Sequence, residues 1–435
     1  MLISMKRISI ILFSLFLSGC DLFAQDDPAP DSTNNPSDTS DIPTDDTAQY
    51  ISSETSLDDP YSYINFLRTQ AGMTTLGKQE SLAGAALNHA NYLKLNETFG
   101  HTQSNGLIGF TGVNPGDRAV EQNYSTFKVT EGVANGRTDI DGLDNLMSAI
   151  YHRFTLMDNT KDSIGMGYVA IDTNNGILVH NMANDEVNAT CERQVAANSY
   201  YVGLCSPDFN VSSTEIDSAS ESRAQLNPEL TLWPPENGTD IMPVFYEETP
   251  DPLADHSVSG YPVSVQFNSA KVSSAAVSSF QVYNIDEQAY LSSTRLMSET
   301  SDPNNIFSSL DFTLFPLQRL EWATEYRVEL EYIQDGVNNT KQWVFKTREL
   351  DGPLIRLDSS ESSAQLSNNK KSYIYIVPTH STDVISTFVS TYPQTTSVTA
   401  DFKDSNTLAV TASGGGGDKI EFVLNNSRTI TLTLI

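Results

Sequence analysis

An acidic, weakly hydrophobic segment near the amino terminus limits where a folded core can begin. From Asp21 to Asp59 the chain reads DLFAQDDPAPDSTNNPSDTSDIPTDDTAQYISSETSLDD, and no Lys or Arg occurs between Arg7 and Arg68. A segment with one sign of charge, scattered Pro and Ser and few large apolar residues cannot bury enough surface to fold by itself. We therefore predict a disordered tether over residues 20–59 and place the folded domains after it.

A secretory signal precedes this tether. Lys6 and Arg7 are followed by the mainly apolar run ISIILFSLFL, which is too short to span a bilayer as a mature helix. We assign residues 1–19 to the signal. The next residues, LSGC at 17–20, resemble the bacterial lipobox, which implies cleavage before Cys20 and lipidation of that residue. The alternative is an ordinary signal peptide with a chance cysteine.

The implied anchor makes a membrane the first expected partner, because several acyl chains together bind a bilayer stably. Asp21 directly after the cysteine resembles the inner-membrane retention signal of enterobacterial lipoproteins. It points to the periplasmic face of the inner membrane, with the outer membrane or cell surface as the alternative. The formal charge of −30, with no basic run longer than Lys370-Lys371, argues against nucleic acid and against electrostatic binding to anionic lipid.

The folded part divides by pattern into three domains. Residues 60–207 mix helical and strand periodicities, whereas residues 230–350 and 352–435 read as alternating strands separated by turn residues. The fold class is therefore α+β, with a mixed domain followed by two all-β sandwiches. The stretch LEWATEYRVEL resembles the corner before a late strand of an immunoglobulin-like sandwich, where Tyr326 would hydrogen-bond back to the chain.

Two cysteines remain besides Cys20. Cys191 and Cys205 lie 14 residues apart in the exported part, where an oxidising compartment favours their pairing. A redox or metal role would need neighbouring His or Lys, and CERQVAANSYYVGLC contains neither. We predict a structural disulfide.

Three helices are predicted in the mixed domain. One begins at Pro60, one covers Ser81 to Leu95, and one begins at Gly142 with Asp141 as its cap. His89 shares the apolar stripe of the second helix, which favours a satisfied core histidine. His101 lies in a polar loop after that helix, and His152 is expected at the edge of the buried face of the third helix, since it falls off that helix's stripe of Leu143, Leu146, Met147, Ile150 and Phe154.

A series of short motifs resembles the CAP superfamily, which includes cysteine-rich secretory, antigen 5 and pathogenesis-related (SCP-like) proteins. The motifs are NFLRTQAGMTTLGKQESLAGAALNHANYL, FGHT, TEGVANG, YHRFTLM and IGMG, in that order. The resemblance implies an α-β-α sandwich for this domain and a cleft formed by His101, Glu131 and His152.

This chain departs from the family at several positions. Thr130 and Gly132 flank the glutamate where the family has Gly and Asn. Leu146 replaces a tryptophan, and Ala149 stands where eukaryotic members have a second glutamate. Glu121 is another carboxylate that could join the cleft.

Two imidazoles and a carboxylate can hold a divalent ion such as zinc, with His101 and His152 as ligands. Without metal, Glu131 could orient one imidazole as a general base. Members of the family are described as binders of lipids, metals and proteins, and only sparsely as hydrolases. We therefore expect an envelope binding or interaction protein whose ligand is a metal, a lipid, a small molecule or an envelope protein. The alternatives are a hydrolase of peptide or envelope polymer and a scaffold with a vestigial cleft.

An acidic, Pro-rich stretch, FYEETPDPLADHSVSGYP, raises the question of calcium. It carries Glu247, Glu248, Asp251 and Asp255. Carboxylates are the ligands that calcium prefers. A solvated loop is the simpler explanation and the one we favour.

Overall fold

The computed structural model describes residues 59–358 and 360–435. The predicted signal, the lipidation site Cys20 and the tether, apart from Asp59, lie outside these residues. Within the described part of the chain, no helix is long and apolar enough to cross a membrane.

The first unit has mixed secondary structure around a four-stranded sheet. Its elements are α1 (Pro60–Gln70), β1 (Gly77–Lys78), α2 (Glu80–Leu95), α3 (Pro115–Glu121), β2 (Thr130–Gly136), α4 (Asp139–Ser148), α5 (Ile150–Leu156), β3 (Ser163–Ala170), β4 (Gly176–Ala183), α6 (Asp185–Glu192), β5 (Tyr200–Tyr201), β6 (Val211–Ser212) and α7 (Ser213–Gln225). The strand order is β1-β3-β4-β2, so β2 forms one edge of the sheet. Gly165 and Gly167 of β3 let α2 approach this sheet closely, because a Cβ at either position would lie within 2.3 Å of the helix backbone.

The predicted third helix is two helices. Thr138, not Asp141, caps α4, because its hydroxyl accepts a hydrogen bond from the Asp141 N–H at 3.1 Å. At Ala149 the backbone adopts an extended conformation, with ψ 118°, and α5 begins at the next residue. The apolar stripe of α4 therefore does not continue into α5. His152 lies on the shorter helix and is completely buried, so its predicted place at the edge of a buried face was wrong.

The disulfide lies at the end of this unit. Cys191 and Cys205 are joined, with their Cα atoms 5.3 Å apart. Both pack with Val211 and with Ile216 of α7 in one buried cluster. The packing of the mixed unit therefore extends beyond residue 207 to include α7.

The second unit is a two-sheet sandwich. Its strands are β7 (Leu230–Trp233), β8 (Gly238–Ile241), β9 (Val244–Phe245), β10 (Ser259–Gly260), β11 (Val263–Phe267), β12 (Ala275–Asn284), β13 (Ala289–Tyr290), β14 (Thr294–Met297), β15 (Asp311–Pro316), β16 (Glu325–Gln334) and β17 (Val337–Thr347). The sheets have the orders β14-β15-β11-β7 and β13-β12-β16-β17-β8, and β9 pairs with β10. Tyr326 accepts a hydrogen bond from the Glu321 N–H at 2.9 Å, which confirms the predicted corner contact.

The third unit consists of two further four-stranded sheets. Its strands are β18 (Leu354–Leu357), β19 (Ser363–Leu366), β20 (Ser372–Ile376), β21 (Phe388–Thr391), β22 (Ser397–Asp404), β23 (Thr407–Ser413), β24 (Lys419–Leu424) and β25 (Thr429–Leu434). The sheet orders are β18-β20-β23-β22 and β19-β25-β24-β21, and residues of both meet in one apolar core. The alternating strands predicted for residues 352–435 are present.

The first two units share one hydrophobic core. Leu146 and Leu178 of the mixed unit belong to the same buried cluster as Val263, Leu314 and Phe345 of the sandwich. Burial of apolar surface contributes about 25 cal/mol per Å². Separating the two units would expose this core to water, so the units form one body.

Helix α5 provides polar contacts between the first two units. Arg153 is fully buried and donates hydrogen bonds to the Pro262 carbonyl at 2.7 Å and the Ser264 hydroxyl at 3.0 Å. Its guanidinium also stacks on Tyr261 of the sandwich. Tyr151, two residues earlier, hydrogen-bonds the buried carboxylate of Asp302. The helix that carries His152 is therefore held by the second unit.

Candidate functional site

Four histidines and two glutamates lie buried in or next to the mixed unit, near the β2 edge of its sheet. His89 is on α2, His101 follows that helix, His152 is on α5 and His180 is on β4. Glu131 is the second residue of β2, and Glu248 follows β9 in the sandwich unit. Their exposed fractions are 9% or less.

Glu131 is the centre of the first group, which we call the Glu131 group (His89, His101, Arg118 and Glu131). Its Oε1 lies 3.0 Å from His101 Nδ1. Arg118 of α3 donates from Nη2 to both carboxylate oxygens, at 2.8 and 2.7 Å. The structure thus brings together two of the three predicted site residues, His101 and Glu131.

The Glu131 carboxylate stays ionised despite its burial. Desolvation raises its pKa, but the Arg118 guanidinium, with smaller contributions from His89 and His101, lowers the pKa to about 2. A buried charge is tolerated when it is paired and hydrogen-bonded in this way. Arg118, itself fully buried, is a site residue that the sequence analysis did not identify.

His89 is a satisfied core histidine, as predicted. Its Nε2 hydrogen-bonds the Gly100 carbonyl at 2.8 Å, and its Nδ1 lies 3.1 Å from the amide nitrogen of Gln103. Burial is the main reason that its pKa is lowered to about 4, so the ring is neutral at pH 7. It braces the loop that carries His101.

His152 belongs to a second group, which we call the Glu248 group (Tyr151, His152 and Glu248). His152 Nδ1 lies 2.9 Å from Glu248 Oε2, and the Tyr151 N–H contacts both oxygens of the same carboxylate at 3.3 and 3.2 Å. His152 is therefore paired with a carboxylate of the second unit, and its hydrogen bond is not to Glu131. Ala149 stands where the resemblance stated above implies a second glutamate, and Glu248 supplies a carboxylate that lies 96 residues beyond His152 in the chain.

The other acidic candidates lie elsewhere. Glu121 is exposed at the end of α3, and Glu247 is exposed beside Glu248. Asp255 forms a two-point ion pair with Arg295 at 2.8 Å, and Asp251 accepts from the Leu253 N–H. The carboxylates of the acidic stretch therefore do not share one partner. The favoured interpretation of a solvated loop is wrong for Glu248, which is 1% exposed.

His180 was missed by sequence reasoning. It lies directly opposite Gly132 in the β2–β4 pairing, and a Cβ at Gly132 would come within 2.2 Å of its Nε2. The His180 ring therefore occupies the space that any side chain at position 132 would need. Two signals in the sequence pointed to it: a histidine inside the apolar strand GILVHNMAN, and a glycine where the family has asparagine.

His180 links the two groups electrostatically. Burial is the largest cause of a pKa lowered to about 3, and His152 and His101 lower it further while Glu131 opposes them. Consecutive residues of a strand point to opposite faces of the sheet, so Glu131 and the His180–Gly132 pair leave the sheet edge on different sides. Glu131 and His180 thus both lie at the β2 edge, on opposite faces of the sheet.

Several imidazole nitrogens here have no partner. His101 Nε2, His152 Nε2 and both ring nitrogens of His180 are buried without a hydrogen bond. Among residues 59–358 and 360–435, no three His, Cys, Asp or Glu side chains are arranged to hold one metal ion. Zinc ligation by His101 and His152 therefore stays a prediction.

By its fold, the protein is an α+β domain with a buried His/Glu centre, followed by β-sandwiches. Residues 61–191, which lie within the mixed unit, match the model of the CAP family, the Cysteine-rich secretory protein family. No curated protein matches the chain.

Solved structures with similarity to the chain include extracellular proteins. An outer surface protein from Borrelia burgdorferi is 24% identical, with a TM-score of 0.25, and the match covers 28% of this chain and 86% of that one. An extracellular protein containing an SCP domain from Bacillus anthracis is 18% identical, with a TM-score of 0.24, over 28% of this chain and 38% of that one. An endo-fucoidan hydrolase from glycoside hydrolase family 107 is 10% identical, with a TM-score of 0.20, over 52% of this chain and 38% of that one.

The buried histidines predict how stability depends on pH. The pKa values of His89 and His180 are lowered in the folded state to about 4 and 3, so the unfolded chain binds their protons first. The contribution of these neutral histidines to the free energy of unfolding is then fully present above about pH 6.5. It is lost on acidification, by up to about 1.4 kcal/mol per pH unit for each histidine. His180→Gln should reduce this slope between about pH 6.5 and 4.5 by about half.

Urea unfolding at several pH values measures the slope, and His380→Gln is the matched control because His380 lies in an exposed loop. A His180→Gln protein with the slope of the unmodified protein would show that His180 is not held neutral by burial.

Proposed function

We propose that this chain is an exported, lipid-anchored binding protein of the bacterial envelope. Its CAP domain holds a divalent metal ion or a small polar ligand between His101 and His152. The two β-sandwich units, which we assign to the immunoglobulin-like class, support this domain and offer surface to an envelope protein. The observation that carries the proposal is the set of buried, unpartnered imidazole nitrogens.

An unpartnered buried polar atom costs about 1–3 kcal/mol, so such atoms usually have an occupant to bond. His101 and His152 share one arrangement: Nδ1 contacts a carboxylate, and Nε2 is left without a partner. Metal-binding histidines are oriented in this way by a carboxylate on the second ring nitrogen. His101 and His152 are the residues that would hold zinc, which would supply Lewis-acid chemistry when bound.

The burial of the site favours a small ligand. His101 is 9% exposed and His152 is fully buried beneath Glu248. A polymer chain has no path to His152 in this arrangement, whereas an ion or a small molecule needs only a local opening. For this reason we favour a binding function over a catalytic one.

A hydrolase is the second candidate. Two carboxylate–imidazole pairs, Glu131 with His101 and Glu248 with His152, are the arrangement that orients a general base. Turnover of a peptide or envelope polymer by the unmodified protein, abolished by His152→Ala in a protein that remains folded, would support this candidate over simple binding.

Zinc titration by calorimetry tests the metal site. We expect micromolar binding to the full-length protein, and binding weaker by about tenfold or more in His101→Ala and His152→Ala, since each removes one of two protein ligands. His380→Ala, in an exposed loop, should bind as the unmodified protein does. If the unmodified protein binds neither zinc nor magnesium nor calcium, the metal proposal is wrong.

Detergent phase partitioning tests the anchor. The protein expressed in a bacterial host should enter the detergent phase, and Cys20→Ser should move it to the aqueous phase because no acyl chain is attached. Cys191→Ser is the control, since that cysteine is in the disulfide. Detergent partitioning that survives Cys20→Ser would rule out lipidation at this residue.

A further inference from the structure

A large cleft covers the outer face of the third unit's β18-β20-β23-β22 sheet, separate from the buried histidines. Its volume is about 610 Å³. Besides residues of this sheet, Arg137 of the mixed unit, Asp240 of the second unit and the segment from Arg348 to Asp351 line it. All three units therefore contribute to the cleft, and its shape depends on how they are arranged.

The floor of the cleft is a regular part of the sheet. In the strand pairing, Ala409 lies between Asp401 and Tyr373, and Thr411 lies opposite Thr399. The residues that alternate with them along each strand point into the apolar core of the unit, so these side chains lie on the outer face. The floor is therefore polar, with the small side chain of Ala409 between larger ones.

The two signs of charge are balanced in this cleft. It is lined by four carboxylates and four cations, which are Asp240, Glu349, Asp351, Asp401, Arg137, Arg348, Lys371 and Lys403. Ion pairs join several of them: Arg348 lies 2.8 Å from Asp240, and Lys371 lies 2.9 Å from Asp351. A ligand with a net charge would find no excess of the opposite sign, so an uncharged polar ligand matches the cleft best.

Asp401 and Lys403 are charged residues of the cleft that form no ion pair among the described residues. The pairing of β22 with β23 shifts register between Phe402 and Asp404, so Lys403 is the extra residue of a β-bulge. Bulges re-aim side chains and occur often next to functional sites. The cleft therefore offers one free hydrogen-bond acceptor and one free donor on the same strand.

The hydroxyls of Thr399 and Thr411 are exposed beside these two groups. A hydroxyl both donates and accepts a hydrogen bond, whereas a carboxylate only accepts and an ammonium only donates. The four side chains together present donors and acceptors side by side on one surface. A ligand that carries many hydroxyls has the complementary chemistry.

We propose that this cleft binds a neutral oligosaccharide, whose hydroxyls bond to Asp401, Lys403, Thr399 and Thr411. Each sugar hydroxyl can donate to the carboxylate and accept from the ammonium, so neighbouring hydroxyls of one ring can bond to both. The ion pairs around the cleft hold its other polar groups in place before the ligand arrives, which lowers the entropy cost of binding. The volume falls within the usual range for ligand sites, about 300–1,000 Å³. The site shares no residue with the His101–His152 proposal and does not depend on it.

Calorimetric titration of the full-length protein, in a detergent without a sugar head group, tests the site. The probes are maltotriose, cellotriose and triacetylchitotriose, which are neutral, with trigalacturonate as an acidic trisaccharide and glycylglycine as a zwitterion. At least one neutral trisaccharide should bind, and the two charged probes should not. Asp401→Ala should weaken the binding by about tenfold or more, as the loss of a hydrogen bond to a charged group does. Glu421→Ala is the matched control, because Glu421 is exposed on the other sheet of the same unit.

Thr399→Ala is a second variant for which we expect weaker binding, in case Asp401→Ala lowers the melting temperature. Thr429→Ala is its matched control, since Thr429 is exposed on the other sheet. The proposal is overturned if no neutral trisaccharide binds, if trigalacturonate or glycylglycine binds as tightly, or if Asp401→Ala and Thr399→Ala both bind as the unmodified protein does.

Discussion

Three consecutive residues of one short helix join the mixed unit to the sandwich that follows it. Tyr151 contacts Asp302, His152 contacts Glu248, and Arg153 contacts the backbone of Pro262. Each side chain is completely buried, so each bond forms where water cannot replace it. The apolar core that the two units share surrounds these contacts. The position of His152, and with it the candidate site, depends on both units being folded together.

Buried charge is the second constraint on this region. Glu131, Glu248 and Arg118 are each at most 5% exposed. Replacing a buried ion pair by apolar residues is often neutral or stabilising, so such groups are poor evidence of selection for stability. Perturbed ionisable groups concentrate at functional sites. The Glu131 and Glu248 groups combine charge burial with imidazole nitrogens that lack partners, which is the physical basis for regarding this edge of the sheet as a site.

Local patterns in the sequence predicted much of the fold. The helical stripe from Leu82 to Leu93, the strand alternation of the third unit and the corner at Tyr326 all depend on residues close in sequence, and all are present. The position of His152 was wrong because the stripe of α4 was continued through Ala149, where the backbone leaves the helix. The hydrophobic periodicity of a sequence does not show where one non-helical residue separates two helices.

The missing parts of the site are long-range contacts. Glu248 is 96 residues from its partner and stands in a stretch whose composition is typical of a solvated loop. Arg118 and His180 become site residues only when α3 and β4 are placed against β2. Gly132 is the exception, because a glycine opposite an unexplained histidine can be found from strand pairing alone.

The central claim is that Glu248 of the second unit completes the site of the first, and a double-mutant cycle tests it most directly. Urea unfolding gives the free energies of the unmodified protein, His152→Ala, Glu248→Ala and the double variant. The account predicts that the two losses are not additive, with a coupling energy of about 1–3 kcal/mol, as for buried groups in contact. Losses that add to within about 0.5 kcal/mol would show that the two side chains do not interact, and the account would be wrong.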